Sequence, residues 1–212
     1  MKQRTIGISR RLVIGGVLAA LATPLRAATR RPTVAQSTGP YYPQTLPLDA
    51  DADLVQVAGQ ARRAAGDVLH LFGRIGTADG RSIAGAQVEI WQCDAAGRYH
   101  HPRDPRGGDK ADPAFQGFGK TLADAEGGFR FRTIVPVSYP GRTPHVHFLV
   151  RAPGRASFVT QMYLKDHPAN AGDVLFRRVR DAADRARLSV ALERADDVEA
   201  GAQRCFFEIV LA

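Results

Sequence analysis

His145 and His147 stand one residue apart in the stretch SYPGRTPHVHFLV, residues 138–150. In an extended strand, residues i and i+2 point to the same side. The pair therefore presents two imidazoles side by side, with Val146 facing the other way. Neighbouring rings repel when protonated, and when neutral they leave nitrogens unpaired unless a metal or polar groups satisfy them. A metal site and a pair of half-exposed rings on a polar strand face are both open on this signal alone. The remaining histidines do little to complete a set. A His-x-His site with a following glutamate and a later histidine fails, because Arg151 and Pro153 occupy the glutamate stretch and His167 falls in a loop-like segment. A zinc hydrolase needs a third nitrogen or carboxylate ligand; His70, His100 and His101 are available, none at a favoured spacing. The tyrosines are better candidates. Tyr139 precedes His145 by six residues, Arg142 precedes it by three, and Tyr99 ends the turn after Trp91-Gln-Cys-Asp94.

The elements that must position these residues read as strands. Residues 68–75, 86–92, 129–134, 145–150, 158–164 and 205–211 are apolar or alternating runs bounded by Gly, Pro and Asp-Gly turns, and a further short segment precedes residue 129. With 21 glycines, 13 prolines and few helical patterns, about seven short strands point to an all-β chain, an antiparallel β-sandwich in one domain. Asp173 caps an expected short C-terminal helical segment running to about Arg187. Residues 29–66 read as an irregular N-terminal arm with Gly39-Pro-Tyr-Tyr42 as its one distinctive piece. Gly117 to Thr121 resembles the end of a phosphate-binding loop, but Ala114 stands where that loop needs glycine. No Gly-x-Ser-x-Gly nucleophile is present. Cys93 and Cys205 allow one disulfide in an oxidising compartment and suit buried thiols equally well.

Residues 1–28 stand apart. Arg10-Arg11 precedes the apolar run 12–22, with small residues at Ala27 and Ala28, the order of an export signal. The run falls short of the roughly 20 apolar residues of a membrane span. The paired arginines predict twin-arginine export and a periplasmic or exported protein without stable membrane association after cleavage. An uncleaved anchor or a general secretory signal is the alternative. Five cations in this segment account for all but +3 of the formal +8 charge, so the charge gives no reason to expect nucleic-acid binding.

From Gly39 to Leu211 the chain resembles the intradiol ring-cleavage dioxygenases, the catechol and protocatechuate dioxygenase family. The resemblance rests on Gly39-Pro-Tyr-Tyr42, Trp91-Gln-x-Asp-x-x-Gly-x-Tyr99, the 124–135 turn and strand with Pro136, Tyr139, Arg142-x-x-His145-x-His147, and Thr160-Gln-x-Tyr163. It implies a catalytic domain over 29–212 with a mononuclear non-haem Fe(III) held by Tyr99, Tyr139, His145 and His147. The chemistry of the ion agrees, since ferric iron is a hard cation that favours oxygen anions and accepts imidazole. Coordination to a trivalent cation favours the phenolate over the phenol. The resemblance further implies a catechol-type substrate that displaces Tyr139, which takes a proton. With O2 as co-substrate, the ring opens to a cis,cis-muconate-type dicarboxylate. Arg142 then stabilises negative charge on the substrate, and Gln161 hydrogen-bonds near the ion. Tyr41 and Tyr42 either line the substrate mouth or pack the arm. Only residues 140–144 separate Tyr139 from His145, a shorter loop than the family's best-known members carry, which implies a more open pocket. A homo-oligomer or monomer needs no second subunit type, and the export machinery is the other expected partner. Two further readings compete: a non-enzymatic transthyretin-like binding module, and a zinc hydrolase using the histidine pair.

Overall fold

The computed structural model describes residues 29–47 and 49–212; the candidate export signal lies outside them. Among the described residues, nine strands form two sheets. They are β1 (Val68–Thr77), β2 (Gln87–Trp91), β3 (Phe118–Leu122), β4 (Gly128–Ile134), β5 (His145–Arg151), β6 (Phe158–Leu164), β7 (Ser189–Val190), β8 (Glu193–Arg194) and β9 (Gln203–Leu211). One sheet has the order β4-β1-β9-β8, the other β3-β2-β5-β6-β7. The β-sandwich expected from the sequence is present. Its sheets are mixed, because β1 runs parallel to β9 and β6 parallel to β7.

Alternation within each strand separates two apolar regions. Val88 and Ile90 of β2, with Val146, Phe148 and Val150 of β5, face Leu69, Leu71, Phe131 and Phe207 of the opposite sheet. Phe148 packs on Phe207 at a centroid distance of 5.0 Å. Each such fully buried side chain stabilises the fold by roughly 1.5–3 kcal/mol relative to exposure. The intervening residues of β2 and β5 point out of the sandwich, where a second, smaller cluster of Trp91, Cys93, Tyr99, Phe118 and Leu149 forms. The arm covers this outer face, with Tyr41 and Tyr42 packed against the cluster.

Two local differences from the sequence reading have clear causes, and one alternative it left open is decided. β3 occupies the stretch that resembles a phosphate loop, and it exists because β2 supplies a partner along its whole length. The expected helix to Arg187 is two helices, α1 (Val174–Arg178) and α2 (Ala182–Arg187), each capped by its own aspartate, Asp173 and Asp181. Buried Val179 turns extended between them, and the second cap restarts the helix. Cys93 and Cys205 are free, buried thiols in the two separate clusters, and burial pushes each up to about 12.

On the outer face of the first sheet, Arg132 grips Glu199 through two hydrogen bonds of 2.8 and 2.7 Å and reaches Asp53 at 3.0 Å. Hydrogen bonding from Arg132, with a smaller contribution from His70, holds the Glu199 carboxyl down at about 2 against the opposing effect of burial. A carboxylate whose pKa is lower folded than unfolded contributes stability above its unfolded value, lost as pH falls through the folded one. The melting temperature is therefore expected to fall between pH 4.5 and about 2 more steeply in the wild type than in Glu199→Gln. Parallel melting profiles for the two proteins would remove this network as the cause.

Candidate metal centre

The register of the second sheet builds the site. Trp91 pairs with His147, and His147 pairs with Gln161, so the three stand in one row across β2, β5 and β6. His145 pairs with Tyr163 in the next outward-facing row. Both imidazoles are buried, with Nε2 atoms 3.2 Å apart. Tyr139 arrives from the loop before β5, its ring 5.5 Å from that of His145 and 5.7 Å from that of Tyr99. The four donors implied by the resemblance thus converge on the outer face of the five-stranded sheet, outside the main core. The short loop contributes directly. Pro140-Gly141 has the sequence of a type II turn, and Gly141 has the φ of +82° such a turn requires. Tyr139 and Arg142 pair across it through two backbone hydrogen bonds.

Burial governs the protonation of the set. It lowers His145 to about 3, with the Arg142 cation adding to the effect. It also lowers His147 well below its ordinary value, assisted by His145 and Arg142. Burial likewise raises Tyr99 and Tyr139; the Tyr139 phenol adds to the rise at Tyr99, and Arg142 opposes the rise at Tyr139. Without a cation the set is thus two neutral imidazoles and two phenols.

Three observations fit these residues to a cation. The Tyr99 hydroxyl is buried without a hydrogen-bond partner. His145 Nδ1 lies 2.7 Å from the Thr143 carbonyl, so Nδ1 carries the proton and Nε2 turns its lone pair to the site. The facing Nε2 atoms either oppose two lone pairs or leave His147 Nδ1 as an unsatisfied acceptor, and a cation held by both residues would use both Nε2 lone pairs. Among the described residues no group of three His, Cys, Asp or Glu converges, so the third ligand a zinc hydrolase needs is missing. His70 pairs with Glu199, His100 with the Asp112 carbonyl, and His167 caps a short 3₁₀ turn, all away from the pair. His101 packs beside Tyr41.

Arg142 sits at the edge of the set, fixed by Asp173 Oδ2 at 2.8 Å on Nε and by Gln161 Oε1 at 2.6 Å on Nη2. The Gln161 amide in turn donates to the Ser37 carbonyl at 3.1 Å, so it holds Arg142 and the arm together. The structure separates the two arm tyrosines. Tyr41 packs on Tyr99 at 4.7 Å and helps line an adjoining cavity of about 560 Å³, whereas Tyr42 bonds Glu89 and packs on Trp91. Sequence reasoning missed three participants. Asp173 was visible only as a helix cap, Trp91 only as a motif residue, and Arg106, whose guanidinium lies 5.1 Å over the Tyr139 ring, gave no signal.

Comparison with known proteins gives the family and the fold. The sequence profile of the dioxygenase family matches residues 37–212. The protocatechuate 3,4-dioxygenase beta chain of Burkholderia cepacia is 36% identical over 169 residues, 76% of this chain and 71% of that one. The 6-chlorohydroxyquinol 1,2-dioxygenase of Cupriavidus pinatubonensis is 33% identical over 65% of this chain, which spans about half (52%) of that relative. Among solved structures, the dioxygenase domain of a carbohydrate-binding fusion from Streptomyces sp. SirexAA-E superposes with a TM-score of 0.65 at 30% identity, covering 85% of this chain and 98% of that one. An intradiol ring-cleavage dioxygenase from Tetranychus urticae shares the fold at 20% identity, with a TM-score of 0.63 over 86% of this chain and 94% of that one. The chain belongs to the intradiol ring-cleavage dioxygenase family of enzymes.

Proposed function

We propose that the protein is a non-haem ferric dioxygenase that opens a catechol-type ring between its two hydroxylated carbons, with Tyr99, Tyr139, His145 and His147 holding the ion. The observation that carries this reading is the meeting of the His145–His147 pair, Nε2 atoms 3.2 Å apart, with the Tyr139 ring and, beside that ring, Tyr99 with its buried, unpartnered hydroxyl. When bound, the ferric ion supplies Lewis acidity and a template for chelating two adjacent phenolate oxygens. The chain's own residues do the rest. Tyr139 is half-exposed beside the buried donors, placed to take a proton from an incoming hydroxyl at its phenolate oxygen. Arg142 keeps its charge throughout and, held by Asp173 and Gln161, offers a fixed cation where negative charge develops on the substrate. The arm above Trp91 and His147 limits water at the buried side. Curated relatives act on protocatechuate, chlorohydroxyquinol and catechol, which supports a vicinal diphenol as the substrate class. Residues 1–28 direct export by the twin-arginine route in this reading, and unchanged export of Arg10→Lys/Arg11→Lys would count against that part.

Colour decides the central claim. Chain purified under air is expected to contain about one iron per chain, absorb visible light from tyrosinate-to-iron charge transfer, and consume oxygen on adding catechol. A colourless, iron-free preparation that ferric salts cannot reconstitute would overturn it.

A further inference from the structure

The two histidines are held in different ways. His145 is oriented by the Thr143 carbonyl, 2.7 Å from Nδ1. His147 is only 2% exposed, yet its Nδ1 has no partner, so apart from the 3.2 Å contact of its Nε2 with His145 Nε2 no hydrogen bond sets the angle of its ring. Packing sets it instead. The Trp91 indole lies flat on the imidazole, with centroids 4.7 Å apart and planes 6° from parallel. Gly39 of the arm closes the ring's edge, so near that a Cβ there would stand 3.2 Å from His147 Cε1, and its φ of +73° also favours glycine. Trp91 has no hydrogen bond of its own at Nε1 and is held edge-on by Tyr42, at 5.0 Å and 87°. The Tyr42 hydroxyl donates to Glu89 Oε2 at 2.8 Å. Glu89 is 2% exposed, ion-paired with Arg151, and accepts from Gln87 Nε2 at 2.6 Å. Glu89 and Trp91 are i and i+2 on β2, and His147 and Arg151 are i and i+4 on β5, so the whole chain of contacts lies on one sheet face.

We propose that Tyr42 and Glu89 are positioning residues: with Arg151 they clamp the N-terminal arm to the sheet so that Trp91 and Gly39 fix the ring of His147 for metal binding. The inference rests on His147 being a ligand, as proposed above. A ligating histidine is ordinarily oriented through its second nitrogen, and losing that partner costs about 10–100-fold in metal affinity. Here stacking takes that place, and an aromatic pair contributes about 0.5–1.5 kcal/mol only while its geometry is kept. The buried Glu89 carboxylate anchors the clamp, since it must keep its donors to remain buried.

Trp91 is the chain's single tryptophan, so its fluorescence reports the clamp directly. Tyr42→Phe keeps the ring and removes only the hydroxyl. It is expected to shift Trp91 emission in the metal-free chain and to speed loss of ferric ion to a competing chelator about 10–100-fold. The tyrosinate band should persist in the loaded protein, and the melting temperature should fall by only the few degrees that one lost hydrogen bond to buried Glu89 costs. Gly39→Ala presses on the ring without touching Glu89 and should also speed metal loss. Metal-loss rates like wild type in both variants, or a lowered melting temperature with unchanged chelator kinetics, would overturn the clamp while leaving the function intact. A wild-type chain that takes up no ferric ion would overturn the function reading and the clamp with it.

Discussion

His147→Ala is expected to abolish iron retention while the chain still folds. The ring belongs to the outer cluster beside Trp91, whereas its neighbours Val146 and Phe148 carry the sandwich core. The substitution therefore removes a proposed metal donor and one aromatic stack, and leaves the two-sheet packing in place. The loss should exceed the roughly 10–100-fold that removing an outer partner of a ligand costs, because the donor atom itself is gone. Tyr99→Phe gives the complementary result. Its ring stays packed against Tyr41, but the buried hydroxyl without a partner disappears. An unsatisfied buried polar group costs about 1–3 kcal/mol, so the metal-free variant should be more stable by up to that amount while holding iron more weakly. Stability surrendered for function in this way is the usual signature of a site. Iron analysis, visible spectra and denaturant unfolding of the metal-free chains check both. Full iron retention by both variants would refute the ligand assignment.

Asp173→Ala should be the most damaging single change outside the donor set. The Asp173 side chain is fully buried, and that of Arg142 is 13% exposed. One oxygen of Asp173 accepts from Arg142 Nε and Thr143 N, and the other accepts from Leu175 N and Phe176 N at the start of α1. Burial works to raise its pKa, yet the backbone hydrogen bond from Phe176 and the Arg142 contact outweigh it and the group stays below its ordinary value. Breaking a buried ion pair by removing one partner costs about 3–5 kcal/mol, because the other charge is left uncompensated. A lost helix cap adds about 0.5–2 kcal/mol, though effects at one residue do not simply sum. Urea unfolding should show a loss of at least about 3 kcal/mol. In an Arg142→Ala background the same change should cost less, since no orphaned cation remains. A loss below about 1 kcal/mol would show that Asp173 is not the partner that holds Arg142 in place.

The legible and illegible parts of the site divide along physical lines. His145 and His147 share a strand, so the period of two placed their rings together before any fold was known. Tyr139 and Arg142 were legible as a pair with the histidines, since the intervening Pro-Gly turn is a local instruction. Tyr99 was readable only through its motif, because nothing local ties the turn at 94–99 to a strand some fifty residues later. Asp173 shows the limit well. Its role as a cap is local and was read correctly, while its second role depends on Arg142 arriving from 31 residues away. The break between α1 and α2 was missed because Val179 follows the demand of the core over the helical propensity around it.

The sequence alone determined the strands that alternate, the turns that end them, the types of the four proposed donors and the cap on α1, all properties of a few adjacent residues. Only the tertiary structure decided the register that sets Trp91, His147 and Gln161 in one row, the partnership of Asp173 with Arg142, and the arm that closes over the ring of His147. The reason is the range of the forces involved. Backbone sterics and side-chain alternation act between neighbours, whereas register, burial and ion pairing come into being only when distant strands share one sheet.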